Sequence, residues 1–480
     1  MKIKSQCLII ILFGIMVWPA LAYDKAIEIE KFVSEFHNIK EFNGTVLVSQ
    51  NNKVIFEKAY GFANFEWDIK NTLDTKFRIA SLTKQFTAML IMQLVEENVL
   101  KLDAPISEYL KDFRKDIGDK VTIHHLLNHT SGIPNYLRIK NFRKDISRNN
   151  YSVAEFIKKF CSDDLDFEPG SDFRYSNSGY FILGSIIEKV TKKTYENVLR
   201  ENILDPLGMK NTGYDNSSVI IKNRASGYDK TLNGYVNTGY LDMSIPYAAG
   251  SMYSTVRDLS LWDNALYTES LLSVNSIKKM FKVSKHRNYA YGWEVNEIPT
   301  SGLGQKITSI NHGGGINGFN SSITRILQDK YLIVLLNNGG GAPMRALNKG
   351  ITNILYGKPY QLAQQRLNNI LYDLIVNEGI ASALQKYNKL NEQGKGFSER
   401  GLNHFGYELL NLNLTEAAIE IFKLNVVNNP ESANAYDSLA EGYLSIKNNT
   451  LALSNYKKSL ALNKENENAK QAIKKLKALL

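Results

Sequence analysis

Cysteine is nearly absent: Cys7 and Cys161 are the two in 480 residues. Cys7 falls inside an N-terminal leader pattern, so a mature chain keeps one thiol and can form no internal disulfide. Blocks of Lys or Arg are also missing, although the chain carries a formal charge of +10. Without a basic block or a nucleic-acid motif, that balance reads as a solvated surface, with attraction to anionic surfaces as the alternative, and nucleic acid is not an expected partner. His125 and His129 stand at helical i,i+4 spacing, but no carboxylate or cysteine accompanies them where a zinc site needs one. Neither metal nor cofactor is expected. The apolar run from Leu8 to Val17 is too short to span a membrane. With Lys2 and Lys4 before it and Ala20-Leu21-Ala22 after it, it reads as a signal peptide over 1–22, with Tyr23 starting a secreted or periplasmic chain.

What is present is enough for real cores. Apolar residues make up 44% of the chain, and the length calls for two or three domains. The stretch that organises the first of them is Ser81-Leu82-Thr83-Lys84. An apolar helical pattern follows it: Phe86, Leu90 and Leu94, with Met89, Ile91 and Val95 widening the stripe. A serine at the mouth of a helix has its own N–H among the unpaired donors of the first turn, where the helix dipole adds positive charge. Lys84, three residues on, can reach the hydroxyl, and if buried near other cations it can act as a base. The spacing alone is weak, because Ser276–Lys279 and Ser454–Lys457 repeat it in charged helical stretches.

Partners must come from elsewhere in the chain. Residues 44–50 and 53–60 read as a hairpin turning at Asn51-Asn52. The HHLLNHTSGIP stretch (124–134) reads as a helix end running into a turn. Tyr175-Ser176-Asn177 lies in a loop directly before a helix carrying Ile182, Leu183, Ile186, Ile187 and Val190, a place from which the phenol could enter a cleft. Ala248–Thr255 precedes a helix through Asp258, Leu261 and Trp262. His312 leads Gly313-Gly314-Gly315 at the end of a strand, followed by strands over 319–327 and 331–336 and a helix over 343–355. The glycines either leave room for a substrate backbone beside the strand, with one N–H as an oxyanion donor, or mark a tight turn. Strands at both ends with helices between predict an α+β domain: an antiparallel sheet flanked by helices, with a helical insertion.

Together, Ser81-Leu82-Thr83-Lys84, Tyr175-Ser176-Asn177 and His312-Gly313-Gly314, in that order, resemble the penicillin-recognising serine hydrolases. The likeness is to the branch with class C β-lactamases, D-alanyl-D-alanine carboxypeptidases and esterases, and LLNHTSGIP (126–134), FEPGSDFRYSNSGY (167–180) and AAGSMYST (248–255) support it. The resemblance covers about residues 25–357. It implies a β-lactamase/transpeptidase-like fold with Ser81 as the acylated nucleophile, Lys84 and Tyr175 handling its proton, and Asn177 binding the substrate amide. The N–H groups of Ser81 and Gly315 would form the oxyanion hole. It also implies a small-molecule or peptide substrate: a peptidoglycan-like peptide, an ester or a β-lactam. Strong β-lactamases of this branch carry lysine where His312 stands, so His312 is expected to lose its grip on carboxylates as pH rises from 6 to 8.

The hydrolase domain is expected over 23–357, a helical linker over 358–395, and an all-α tail over 396–480. In the tail, Phe405, Leu409, Ala418 and Phe422 are matched 34 positions on by Leu439, Tyr443, Ala452 and Tyr456. The tail resembles tetratricopeptide repeats, which implies a protein partner or a packed appendage. A catalytically silent scaffold using this tail is the alternative to an active enzyme.

Overall fold

The computed structural model describes residues 24–299 and 306–479. The leader expected over 1–22 lies outside the described residues. Among those described, no helix is long and apolar enough to cross a membrane.

The first unit is built on a six-stranded sheet. Residues 24–38 form helix α1. Strands β1 (Gly44–Gln50) and β2 (Lys53–Ala59) follow it. Asn51 and Asn52 join them with φ of 48° and 63°, the left-handed pair a two-residue hairpin turn requires. A long helical insertion then contains α2 (Thr83–Glu96), α3 (Asn177–Thr191) and α4 (Val256–Ala265). The chain returns to the sheet through β3 (Glu294–Pro299), β4 (Lys306–Ile316), β5 (Phe319–Ile326) and β6 (Tyr331–Asn337), and α5 (Met344–Leu355) closes the unit. The order across the sheet is β3-β4-β5-β6-β1-β2. All its pairs are antiparallel, with Gly44 opposite Asn337. Strand β3 is an addition to the strands the sequence suggests.

The central strands are buried on both faces because side chains alternate with period two and helices cover each side. In β6, Leu332, Val334 and Leu336 enter the core with the helical insertion. Ile333 and Leu335 enter the other core, with Phe32 and Val33 of α1 and Ile351 of α5. The sequence suggests one apolar stripe on α2; the structure buries nearly its whole circumference, Lys84 included. This is the arrangement of a helix enclosed by the core rather than lying on it.

The contacts divide the described chain after Ala363; Thr231–Gly234 group with the second unit. The stretch expected as a linker carries helices α6 (Leu367–Glu378) and α7 (Ile380–Glu392). Beyond it come α8 (Glu399–Asn411), α9 (Thr415–Asn428), α10 (Ala433–Ser445), α11 (Asn449–Leu462) and α12 (Glu467–Lys477). Phe405, Leu409, Ala418 and Phe422 are buried, as are Leu439, Ala452 and Tyr456.

Candidate active site

Ser81 sits in a 3₁₀ turn, Ala80–Leu82, that feeds directly into α2. The turn is strained and tied. Ala80 has φ of 49°, a left-handed setting that costs an L-residue about 1–2 kcal/mol. Three hydrogen bonds hold it: Ile79 N–H to Met252 O at 2.9 Å, Met252 N–H to Thr83 Oγ1 at 3.2 Å, and Ser321 Oγ to Ile79 O at 2.7 Å. Strand β4 presses on the same turn through Gly314. A Cβ there would lie 2.4 Å from Ile79 O and 3.2 Å from Ala80 Cβ, whereas at Gly313 and Gly315 the nearest atoms would be 3.9 and 3.7 Å away. The triple glycine is therefore strand, not a turn. Its middle member permits close packing, and its outer members leave space.

Lys84 is fully buried, one helical turn from the serine. Its Nζ donates to Asn177 Oδ1 at 2.7 Å and to Ala249 O at 2.8 Å, and lies 3.2 Å from Ser81 Oγ. Burial drives its pKa well below the ordinary lysine value. Of the two causes the sequence suggested, burial and neighbouring cations, burial supplies it. The first two partners can only accept, so they hold two N–H groups and turn the third tetrahedral position toward Ser81. There the charged amine would donate, and the neutral amine would offer its lone pair.

Tyr175 lies in the loop before α3, with its ring 5.0 Å from Lys84 Nζ. Burial raises its pKa, and a hydrogen bond with the Ser81 hydroxyl opposes that rise. A cavity of about 640 Å³ is lined by Ser81, Asn177, Gly315 and Asn320, and by Tyr136 and Phe319. A second, of about 740 Å³, is lined by Ser81, Tyr175, His312, Gly313 and Asn311. The serine stands where the two meet. Strand β4 pairs with β3 only as far as Asn311, while its other edge pairs with β5 to Ile316. Among the described residues, the edge over 312–316 faces the site unpaired and can accept an extended chain.

Residues 29–355 match the family described as Beta-lactamase. The chain belongs to the beta-lactamase family. Among curated proteins, it is 29% identical over 350 residues to penicillin-binding protein 4* of Bacillus subtilis, covering 68% of this chain and 75% of that one. Protein flp of Staphylococcus aureus is 28% identical over 68% of this chain, which spans 65% of that relative. Among solved structures, the octameric penicillin-binding protein homologue from Pyrococcus abyssi is 30% identical with a TM-score of 0.60, over 72% of this chain and 80% of that one. The D-amino acid amidase from Ochrobactrum anthropi SV3 is 25% identical with a TM-score of 0.59, over 69% and 97%. This is a β-lactamase-fold family whose members are serine hydrolases that act on small molecules or peptides.

Within this member of the beta-lactamase family, the structure brings Ser81, Lys84, Tyr175, Asn177 and the 312–315 strand together, and it corrects one expectation. His312 is buried, and burial, with the charge of Lys84 second, lowers its pKa to about 4. Its Nδ1 donates to Gly313 O at 2.6 Å, and Nε2 therefore accepts from the Tyr289 hydroxyl at 3.0 Å. The ring is neutral throughout pH 6–8, so it holds no charge to lose there. His125 and His129 are also engaged otherwise: His125 Nδ1 accepts from Thr122 N–H, and His129 Nδ1 from Ser176 N–H, each at 3.2 Å. Two contributors escape sequence reasoning. Ala249 acts through a backbone carbonyl, which no side chain announces. Asn135, whose Oδ1 accepts from Asn177 Nδ2 at 3.3 Å, is one asparagine among many.

Proposed function

We propose that the protein is an envelope serine hydrolase that works through an acyl-enzyme on D-amino-acid peptides, amides or esters, with β-lactams as poor substrates. The observation that carries this reading is the buried Lys84 amine, tied by two acceptors so that its remaining position meets Ser81 Oγ. As Ser81 Oγ attacks a carbonyl carbon, its proton passes to the Lys84 amine. The tetrahedral oxygen then faces the N–H groups of Ser81 and Gly315. Collapse breaks the bond to the leaving group, which takes a proton relayed through the Tyr175 hydroxyl. Water, losing its proton along the same route, releases the acid. The acid limb of kcat/KM belongs to Lys84, whose amine must be neutral to take that proton and whose pKa burial lowers.

A neutral His312 offers no fixed charge to a substrate carboxylate, which favours amides, esters and peptides without a carboxylate at that position over anionic β-lactams. The names of the penicillin-binding and D-amino acid amidase relatives support the same class. Export rests on the leader pattern, and N-terminal sequencing of cell-produced protein tests it: a chain starting at Tyr23 supports it, and a retained Met1 overturns it. For the chemistry, purified protein and Ser81→Ala are treated with a fluorophosphonate and a fluorescent penicillin. Ser81-dependent labelling supports the reading; rapid loss of the penicillin label would mark a β-lactamase instead. No label from either probe would favour the scaffold.

A further inference from the structure

The loop that carries Tyr175 has no regular secondary structure from Asp172 to Ser176. Neither a ladder nor a helix therefore fixes the phenol. What fixes it is the turn after the short helix Ile123–Leu127. His129 O accepts from Arg174 N–H at 2.9 Å. His129 Nδ1 accepts from Ser176 N–H at 3.2 Å. One residue thus takes the backbone donors on both sides of Tyr175. The rest of the turn continues the strap: Thr130 O accepts from Gly170 N–H, and Gly132 O from Asp166 N–H, both at 2.8 Å. The His129 ring lies against the Tyr175 ring, centroids 4.2 Å apart, with Tyr289 at 4.7 Å and Tyr180 at 5.2 Å around it.

His129 is 1% exposed. Because Nδ1 accepts, the ring's proton is on Nε2, which has no protein partner. Burial keeps the ring neutral. It packs on Tyr175, and it has no free acceptor for a proton in transit, because Nδ1 is taken by Ser176 N–H. Its φ is +62°, a setting that asparagine tolerates and branched residues resist.

We propose that His129 is a positioning residue for Tyr175, clasping the loop at residues 174 and 176 and backing the ring so that the phenol reaches Ser81 and the leaving group. This rests on the hydrolase reading above. It predicts a loss that depends on how badly the leaving group needs a proton. A p-nitrophenolate departs without one; an aniline does not.

The test compares the isosteric pair His129→Asn and His129→Leu. Asparagine Oδ1 replaces Nδ1 as acceptor, and leucine cannot. Each is assayed with a D-amino-acyl p-nitroanilide and with the p-nitrophenol burst of the matching ester, fluorophosphonate labelling of Ser81 serving as the folding control. For His129→Leu, kcat on the anilide should fall about 100-fold, the loss that misplacing a reacting group by roughly 1 Å brings. Its KM and its ester burst rate should stay within about threefold of wild type. His129→Asn should keep the anilide rate within about fivefold. Equal losses on both substrates, or an asparagine variant no better than leucine, would overturn the proposal. If leucine prevents labelling, His129→Gly, free to adopt the positive φ, replaces it in the same comparison. A wild-type protein without a Ser81-dependent burst would sink the hydrolase reading and this inference with it; a wild-type burst with no effect at His129 would sink this inference alone.

Discussion

Alanine at Gly314 should displace the Ser81 turn, while alanine at Gly313 or Gly315 should not. The new Cβ would sit 2.4 Å from Ile79 O and 2.2 Å from Ser321 Oγ. Ordinary contact needs about 3.5 Å, so the Ile79 carbonyl and β4 must part by roughly 1 Å. The Ser321 hydroxyl could rotate away, but only by giving up its 2.7 Å bond to that carbonyl, a loss of about 1 kcal/mol. Overpacking of this kind costs about 1–3 kcal/mol, or roughly 1.5–4 °C in the melting transition of a unit this size. Ser81 follows Ala80 directly, so the same shift should lower ester turnover about 100-fold. At Gly313 and Gly315, alanine should leave the melt within about 0.5 kcal/mol of wild type. Calorimetry and p-nitrophenyl ester hydrolysis on the three variants decide the matter. A Gly314→Ala protein that melts and turns over like wild type would refute the argument that this glycine is there for packing.

The remaining predictions concern charge. Because the His312 pKa is depressed to about 4, its ring gains a proton only well below neutrality; the ratio of kcat/KM for a carboxylate-bearing ester to that for a neutral one should stay flat from pH 6 to 8 so far as His312 is concerned. A ratio falling tenfold across that range would show a charged histidine. Arg325 and Asp263 form a buried ion pair between β5 and α4. Asp263→Ala should cost about 3–5 kcal/mol by stranding the guanidinium, while Asp263→Leu combined with Arg325→Met should recover most of that in urea denaturation. Lowered pH should silence hydrolysis reversibly as the buried Lys84 amine gains its proton, and a kcat/KM profile that stays flat as pH falls would show a different base.

The sequence carried the hairpin, the serine at the head of a helix and the flanking helices, because each depends on neighbours in the chain. Asn51-Asn52 is a local turn signal, and Thr83–Glu96 has a periodicity that survives wherever the helix is put. The site's partners were legible as motifs but not as contacts. His312-Gly313-Gly314-Gly315 reads equally as turn or strand until β5 is seen beside it. Nothing in Ala249 or Tyr289 marks them as neighbours of Lys84 and His312, because a carbonyl and a core tyrosine owe their roles to the fold alone. The charge expected on His312 failed for a related reason: sequence supplies the reference pKa, and burial, a property of the assembled core, sets the actual one.

The pairing of Gly44 with Asn337 has a consequence for biogenesis. The hairpin that opens the sheet leaves the ribosome almost three hundred residues before the strand that zips onto it, and closing so long a loop makes assembly of the nascent chain slow. Until β4–β6 arrive, β1 keeps a bare apolar edge, and the Ser81 turn lacks the floor that Gly314 provides. The serine turn is thus incomplete while the chain is being made, and during that interval the open edge of β1 is exposed to wrong pairing.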